Sequence, residues 1–201
     1  MARKRQSTKS RIVKAAWSLF YKNGYNKTTV EEIIALSKTS KGTFYHYFKG
    51  KESLLNSISY LFDEKYEELY ASIDPKLSAY DKLILLNHEL FHMIETRINV
   101  SLIAYLYSSQ LITKDKQSLL DKKRFYFTWL REIISDALEK GEFQCDLLEN
   151  EQQDPVEELL HVYVMYERSL IYDWALCKGR YSLSRYSDRL LPSVLDTFLA
   201  K

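Results

Sequence analysis

Apolar residues recur every three or four positions through almost the whole of this 201-residue chain, and no segment alternates apolar with polar residues between hairpin turns. That period belongs to the α-helix, in which positions i, i+3, i+4 and i+7 share a face, so the chain is expected to be all-α. Helices are expected over 9–23, 30–36, 40–47, 51–72, 80–97, 100–109, 116–140, 156–178 and 184–200. Gly24, Gly141 and Gly179 read as helix stops, and Asp154-Pro155 as a cap followed by a first-turn proline. Pro192 falls inside the last periodic segment, where a missing N–H should kink or break the helix and leaves its start open.

Charge divides the chain. Residues 1–55 carry 12 Lys/Arg against 3 Asp/Glu, and the remainder 17 against 24, which is +9 followed by −7. A small basic head on an acidic body is the pattern of a head that meets a polyanion, because Lys and Arg on phosphates release counterions. Arg3, Lys4 and Arg5 could extend that head as a basic arm. Cys145 and Cys177, the only cysteines, are too few for a disulfide framework, which fits a reducing compartment. With no apolar leader and no long apolar run, the chain is expected to be cytoplasmic, without a membrane partner.

Within the head, Thr28 or Thr29 followed by Glu31-Glu32 can form a capping box, and Ser40 can cap the short helix that follows a turn at 37–39. In Ser40-Lys41-Gly42-Thr43-Phe44-Tyr45-His46-Tyr47-Phe48, the phenylalanines lie four apart and should pack inward, with Tyr47 also expected in the core. Lys41, Thr43, Tyr45 and His46 then face outward, and Gly42 leaves room for a close backbone approach. Two short helices, one held across the other, meet the geometric need of a major-groove reader.

These residues, with Ala15, Ala16, Phe20, Gly24, Tyr25, Thr29, Val30, Ile33, Lys51, Leu54 and Leu55, resemble the N-terminal helix-turn-helix of the TetR family of bacterial transcriptional regulators. The resemblance covers residues 9–55 by motif, and the body only in the number and length of helices. It departs at the turn, where Ser37-Lys38-Thr39 replaces the usual alanine, glycine and apolar residue; a left-handed Lys38 would cost about 1 kcal/mol relative to glycine. The resemblance implies a DNA-binding domain at 1–50 and a helical effector-binding and dimerisation domain at 51–201. It implies DNA contacts by Thr29, Ser40, Lys41, Gly42, Thr43, Tyr45, His46 and Lys51, with Tyr45 and Lys51 on phosphates.

The function implied is a homodimeric regulator, by default a repressor, that binds a palindromic operator and is released by a small molecule. Tyr163, Leu170, Trp174, Leu191, Leu195 and Phe198 lie on the apolar stripes of the last two helices, the pair that the resemblance implies forms the dimer seam. Phe62, Tyr105, Phe125, Trp129 and Tyr166 are candidates for an effector pocket, since such side chains suit an apolar site with a few polar handles. An alternative is a chain of the same fold controlled by a protein partner.

A third reading comes from His88-Glu89-Leu90-Phe91-His92, which matches the zinc-peptidase pattern H-E-x-x-H. Residues four apart on a helix can share one ion, but the inward stripe here is Tyr80, Leu83, Ile84, Asn87, Leu90, Phe91 and Ile94, leaving both histidines on a flank with Asp81 and Glu95. A zinc peptidase also needs a third ligand and usually a strand to hold substrate, and the sequence offers neither. With no Ser-His-Asp set and no Gly-rich phosphate loop, neither an enzyme nor a metal or other cofactor is expected.

Overall fold

The computed structural model describes residues 7–55, 57–112, 121–148, 150 and 152–200. Ten helices appear among them: α1 (Thr8–Asn23), α2 (Val30–Ser37), α3 (Lys41–Tyr47), α4 (Glu52–Leu55), α5 (Ile58–Ser72), α6 (Ala79–Arg97), α7 (Val100–Ile112), α8 (Phe125–Glu139), α9 (Pro155–Leu176) and α10 (Leu183–Leu195). Among the described residues the single β feature is an isolated antiparallel bridge between Phe143 and Leu199. No helix among the described residues is long and apolar enough to cross a membrane. The basic arm at Arg3, Lys4 and Arg5 lies outside the described residues.

The chain forms two compact units, Met1–Phe62 with Arg97–Asp121, and Asp63–Thr96 with Lys122–Lys201. In this grouping α4, the start of α5 and all of α7 cluster with the head. In the first unit α1 buries Ile12, Ala16 and Phe20 completely and ends where Gly24, at φ +81°, donates its N–H to Phe20 O. Thr29 forms the capping box of α2: its side chain accepts from Glu32 N, while Glu32 Oε2 accepts from Thr29 N at 2.7 Å. That bond holds the Glu32 carboxyl below its ordinary range.

The helix expected over 51–72 comes as two, α4 and α5. Between them Ser57 N–H bonds to Leu54 O in the tighter i→i−3 pattern, and Ser57 Oγ also donates to Leu54 O while accepting from Trp17 Nε1 at 3.1 Å. The serine thereby ties α1 to the start of α5.

In the second unit α9 follows the expected cap, with Asp154 accepting from Val156 N and Pro155 at the first turn. Its buried stripe is Leu159, Leu160, Tyr163, Val164, Glu167, Leu170, Ile171 and Trp174. Ser182 caps α10, which therefore starts in good order despite Pro192; the proline lies in the last turns, and the helix ends at Leu195. The segment expected to remain helical to residue 200 turns instead, and Phe198 buries against Phe143. Glu142 caps α6 across the chain, accepting from Ala79 N at 3.0 Å and Tyr80 N at 2.9 Å.

Candidate nucleic-acid interface

The N-terminus of α3 is fixed by its own side chains. Ser40 Oγ accepts from Thr43 N at 3.0 Å and lies 2.8 Å from Thr43 Oγ1. Phe44 and Phe48 are buried at 0% and 6% exposure, which fixes the rotation of the helix. Lys41, Gly42, Tyr45 and His46 consequently face solvent, and Thr43 lies at the edge. A Cβ at Gly42 would meet nothing closer than Ser40 Oγ at 4.0 Å, so that surface is open to an incoming backbone. Tyr47 departs from expectation: it is 41% exposed, with its ring on His46, and joins the outer surface rather than the core. The turn before α3 takes the strained form that its sequence implied, with Lys38 at φ 52° and ψ 48°.

Two of the residues read as DNA contacts have other work. Lys51 Nζ donates to the carbonyl oxygens of Tyr25 (2.8 Å), Thr28 (3.0 Å) and Asn26 (3.4 Å), and sits 4.5 Å over the Tyr25 ring. It closes the loop between α1 and α2, three carbonyls facing the three donors of the ammonium. The Thr29 hydroxyl is likewise engaged by Glu32 in the capping box. The exposed set on α3 is therefore the part of this surface with donors and aromatic area still available.

The five aromatic residues expected in an effector pocket divide between the two units. Phe62 and Tyr105 belong to the first unit, where Tyr105 is 43% exposed, accepts from Asn26 Nδ2 at 3.3 Å and packs on Tyr25. Phe125, Trp129 and Tyr166 belong to the second. There a cleft of about 640 Å³ is lined by Tyr70, Ile73, Leu77, Trp129 and Ile133 with Lys140 at its side, and Trp129 alone of the five lines it. Tyr166 turns elsewhere, to Ser187 Oγ at 3.0 Å. The more unusual feature of the second unit is a fully enclosed acid, Glu167, which accepts from Asn87 Nδ2 at 3.1 Å and from Tyr126 Oη at 2.5 Å.

On α6, His88 Nδ1 lies 2.9 Å from Asp188, Glu89 pairs with Lys65 at 2.6 Å, and His92 Nδ1 is 3.8 Å from Glu95. Lys65 holds the Glu89 carboxyl below its ordinary range by hydrogen bonding. Among the described residues no group of three His, Cys, Asp or Glu is arranged to hold a metal ion.

The six residues expected at the dimer seam are placed inward in the single chain. Tyr163, Leu170, Trp174, Leu191, Leu195 and Phe198 are all at most 8% exposed within the single chain, so they fill its own core. Hydrophobicity read at helical spacing found the inner stripe. The apolar residues left outside on the same two helices are Met165 (47%), Tyr172 (47%) and Leu176 (63%) on α9, with Tyr186 and Leu190 on α10.

A capped short helix held across a second, on a basic head, has the arrangement of a helix-turn-helix. The chain matches, over residues 12–58, the family model for bacterial regulatory proteins of the tetR family. It is 39% identical over 82 residues to the HTH-type transcriptional regulator QacR of Staphylococcus aureus, a match covering 41% of this chain and 44% of that one. The chain thus spans under half the length of that relative. It is 28% identical over 137 residues to the fatty acid metabolism regulator protein of Bacillus subtilis, covering 66% of this chain and 69% of that one. In fold it is similar to the crystal structure of the regulator FadR from Bacillus subtilis in complex with stearoyl-CoA, with a TM-score of 0.68 at 21% identity over 94% of this chain and 98% of that one.

Proposed function

We propose that the chain is a homodimeric transcriptional regulator that binds a palindromic operator through α3 of each head and releases it when a small molecule occupies the body. The observation that carries the reading is α3 itself: Phe44 and Phe48 fix its rotation, and Lys41, Thr43, Tyr45 and His46 are turned out on a head whose net charge is strongly positive. One such head covers too few base pairs for useful specificity, so two are needed, with half-sites spaced by about a helical turn or a multiple of it. The exposed apolar residues of α9 and α10 are the surface on which a second copy would close.

For the effector, the FadR structure with stearoyl-CoA makes a long-chain acyl-CoA the first compound to try. The helix α5 is common to both units and is a continuous helical route by which a change in the body can reach the head. Repression is the default mode, since release by ligand is the simplest use of such a coupling.

A footprint on the DNA flanking the chain's own gene, over a range of salt concentrations, tests the reading. A protected palindrome that Tyr45→Ala and Lys41→Ala abolish, and that an acyl-CoA releases, is the expected result. Only sequence-blind, salt-sensitive binding would overturn it.

A further inference from the structure

The carboxyl of Glu167 sits at a junction of helices in the second unit. From α6, Asn87 Nδ2 donates to Glu167 Oε1, and from α8 the Tyr126 hydroxyl donates to Oε2. Asn87 Oδ1 in turn accepts from Ser187 Oγ of α10 at 2.5 Å, and Ser187 Oγ meets the Tyr166 hydroxyl at 3.0 Å. One carboxyl on α9 therefore holds α6 and α8 directly and α10 through a single intermediary. Asn87, Glu167 and Ser187 are each at most 3% exposed, so the carboxyl is closed off from bulk solvent.

Among the described residues no ion pair reaches Glu167, and Arg124, whose charge acts on the carboxyl through space, is itself bound at 3.0 and 3.1 Å by Asp63. The other groups facing Glu167 are neutral: Tyr126 of α8, Tyr163 of its own helix, whose hydroxyl donates to Leu83 O, and Tyr66 of α5. Burial pushes all three phenols well above their ordinary value, so they stay protonated throughout the physiological range. Among the described residues the Tyr66 hydroxyl is the buried side-chain polar atom left without a hydrogen-bond partner. A carboxylate without a counter-charge is costly in such surroundings, whereas a carboxylic acid, with one donor and one acceptor, suits them.

We propose that Glu167 is a proton-operated latch in the second unit: protonated, it holds α6, α8 and α10 to α9, and ionised, it places an uncompensated charge at their junction and loosens it. The energetics agree, for burial raises the carboxyl up to about 7 against hydrogen bonds that pull it down. A group raised in the folded state stabilises most below its unfolded value and loses that contribution as pH climbs through its folded value. The latch is therefore closed in mild acid and opens as pH passes neutrality. That the head feels it through α5 rests on the operator-binding reading; the proton site itself does not.

The test uses the full chain, in wild type and E167Q, melted at intervals from pH 5 to pH 8.5 without DNA. Glutamine offers one acceptor and one donor, as the protonated acid does, so the wild-type midpoint should fall relative to E167Q through neutrality and then run level. Parallel profiles would overturn the proposal. Should E167Q fail to fold, carbon-13 NMR of the wild-type glutamate carboxyls gives the same answer: one resonance titrating near neutrality, moved upward in Y126F, is expected, and carboxyls that all titrate in the ordinary acidic range would refute it. Operator affinity at pH 6 and pH 8 then separates the two readings. A change of about fivefold or more that E167Q removes supports the latch acting on the head. A chain with the melting signature that binds no DNA at any pH keeps the proton site and overturns the operator reading.

Discussion

The ammonium of Lys51 lies 2.8 Å from the carbonyl oxygen of Tyr25, 26 residues earlier in the chain, and with two further carbonyls it closes the loop that leads into α2. The head is thus held partly by a residue that lies beyond its two short helices α2 and α3 in the chain.

Lys51→Met should therefore destabilise the first unit by about 2 kcal/mol or more, since charge-assisted bonds are lost and the loop carbonyls are left with poorer partners. Thermal denaturation without DNA reads the effect. If Lys51 acted only on a phosphate, stability would be unchanged and the slope of log affinity against log salt would drop by about one.

Lys38 adopts a left-handed backbone at φ 52° between α2 and α3. Lys38→Gly should relieve this strain and stabilise the chain by up to about 1 kcal/mol, or a few degrees in Tm, offset in part by the greater entropy of the unfolded glycine. A β-branched Lys38→Val should move Tm the other way by more. Denaturation of the three chains side by side measures it, and an unchanged order would mean that the turn relaxes in solution.

Local patterns made much of the head legible in the sequence. The capping box at Thr29, the cap at Ser40 and the inward pair Phe44 and Phe48 are relations within four residues, which helix geometry fixes. Lys51 was not legible in the same way, because its partners are backbone carbonyls of a loop that only the folded head brings near. In the body, the stripe on α9 correctly marked a buried face but could not say whether a second copy or the chain's own core buries it, and the core does. Glu167 could have been found: it lies four residues after Tyr163 and three before Leu170, a charged residue in an apolar stripe.

Tyr45 is 48% exposed and Lys41 also faces solvent, so their removal should leave folding within about 0.5 kcal/mol of wild type. Their effects on DNA should differ. Lys41→Ala is expected to weaken operator and random DNA alike at low salt if it meets a phosphate, but to weaken the operator selectively if it meets a base edge. Filter binding to both DNAs at two salt concentrations distinguishes these, and a Lys41→Ala chain with wild-type affinity for both would remove the residue from the interface.

The outer faces of α9 and α10 supply the last test, because two kinds of leucine lie close in sequence there. Leu176 is 63% exposed and Leu191 only 1%. A glutamate at Leu191 places a charge in the core of the single chain and should prevent folding, at a cost of several kcal/mol. A glutamate at Leu176, especially together with Met165→Glu, meets only solvent in the monomer and should leave it folded, while placing like charges face to face in a symmetric pair. Sedimentation over a dilution series should then show a folded monomer for the double variant where wild type is dimeric, with operator affinity falling as the second head is lost. A double variant that remains as dimeric as wild type would move the seam off this face.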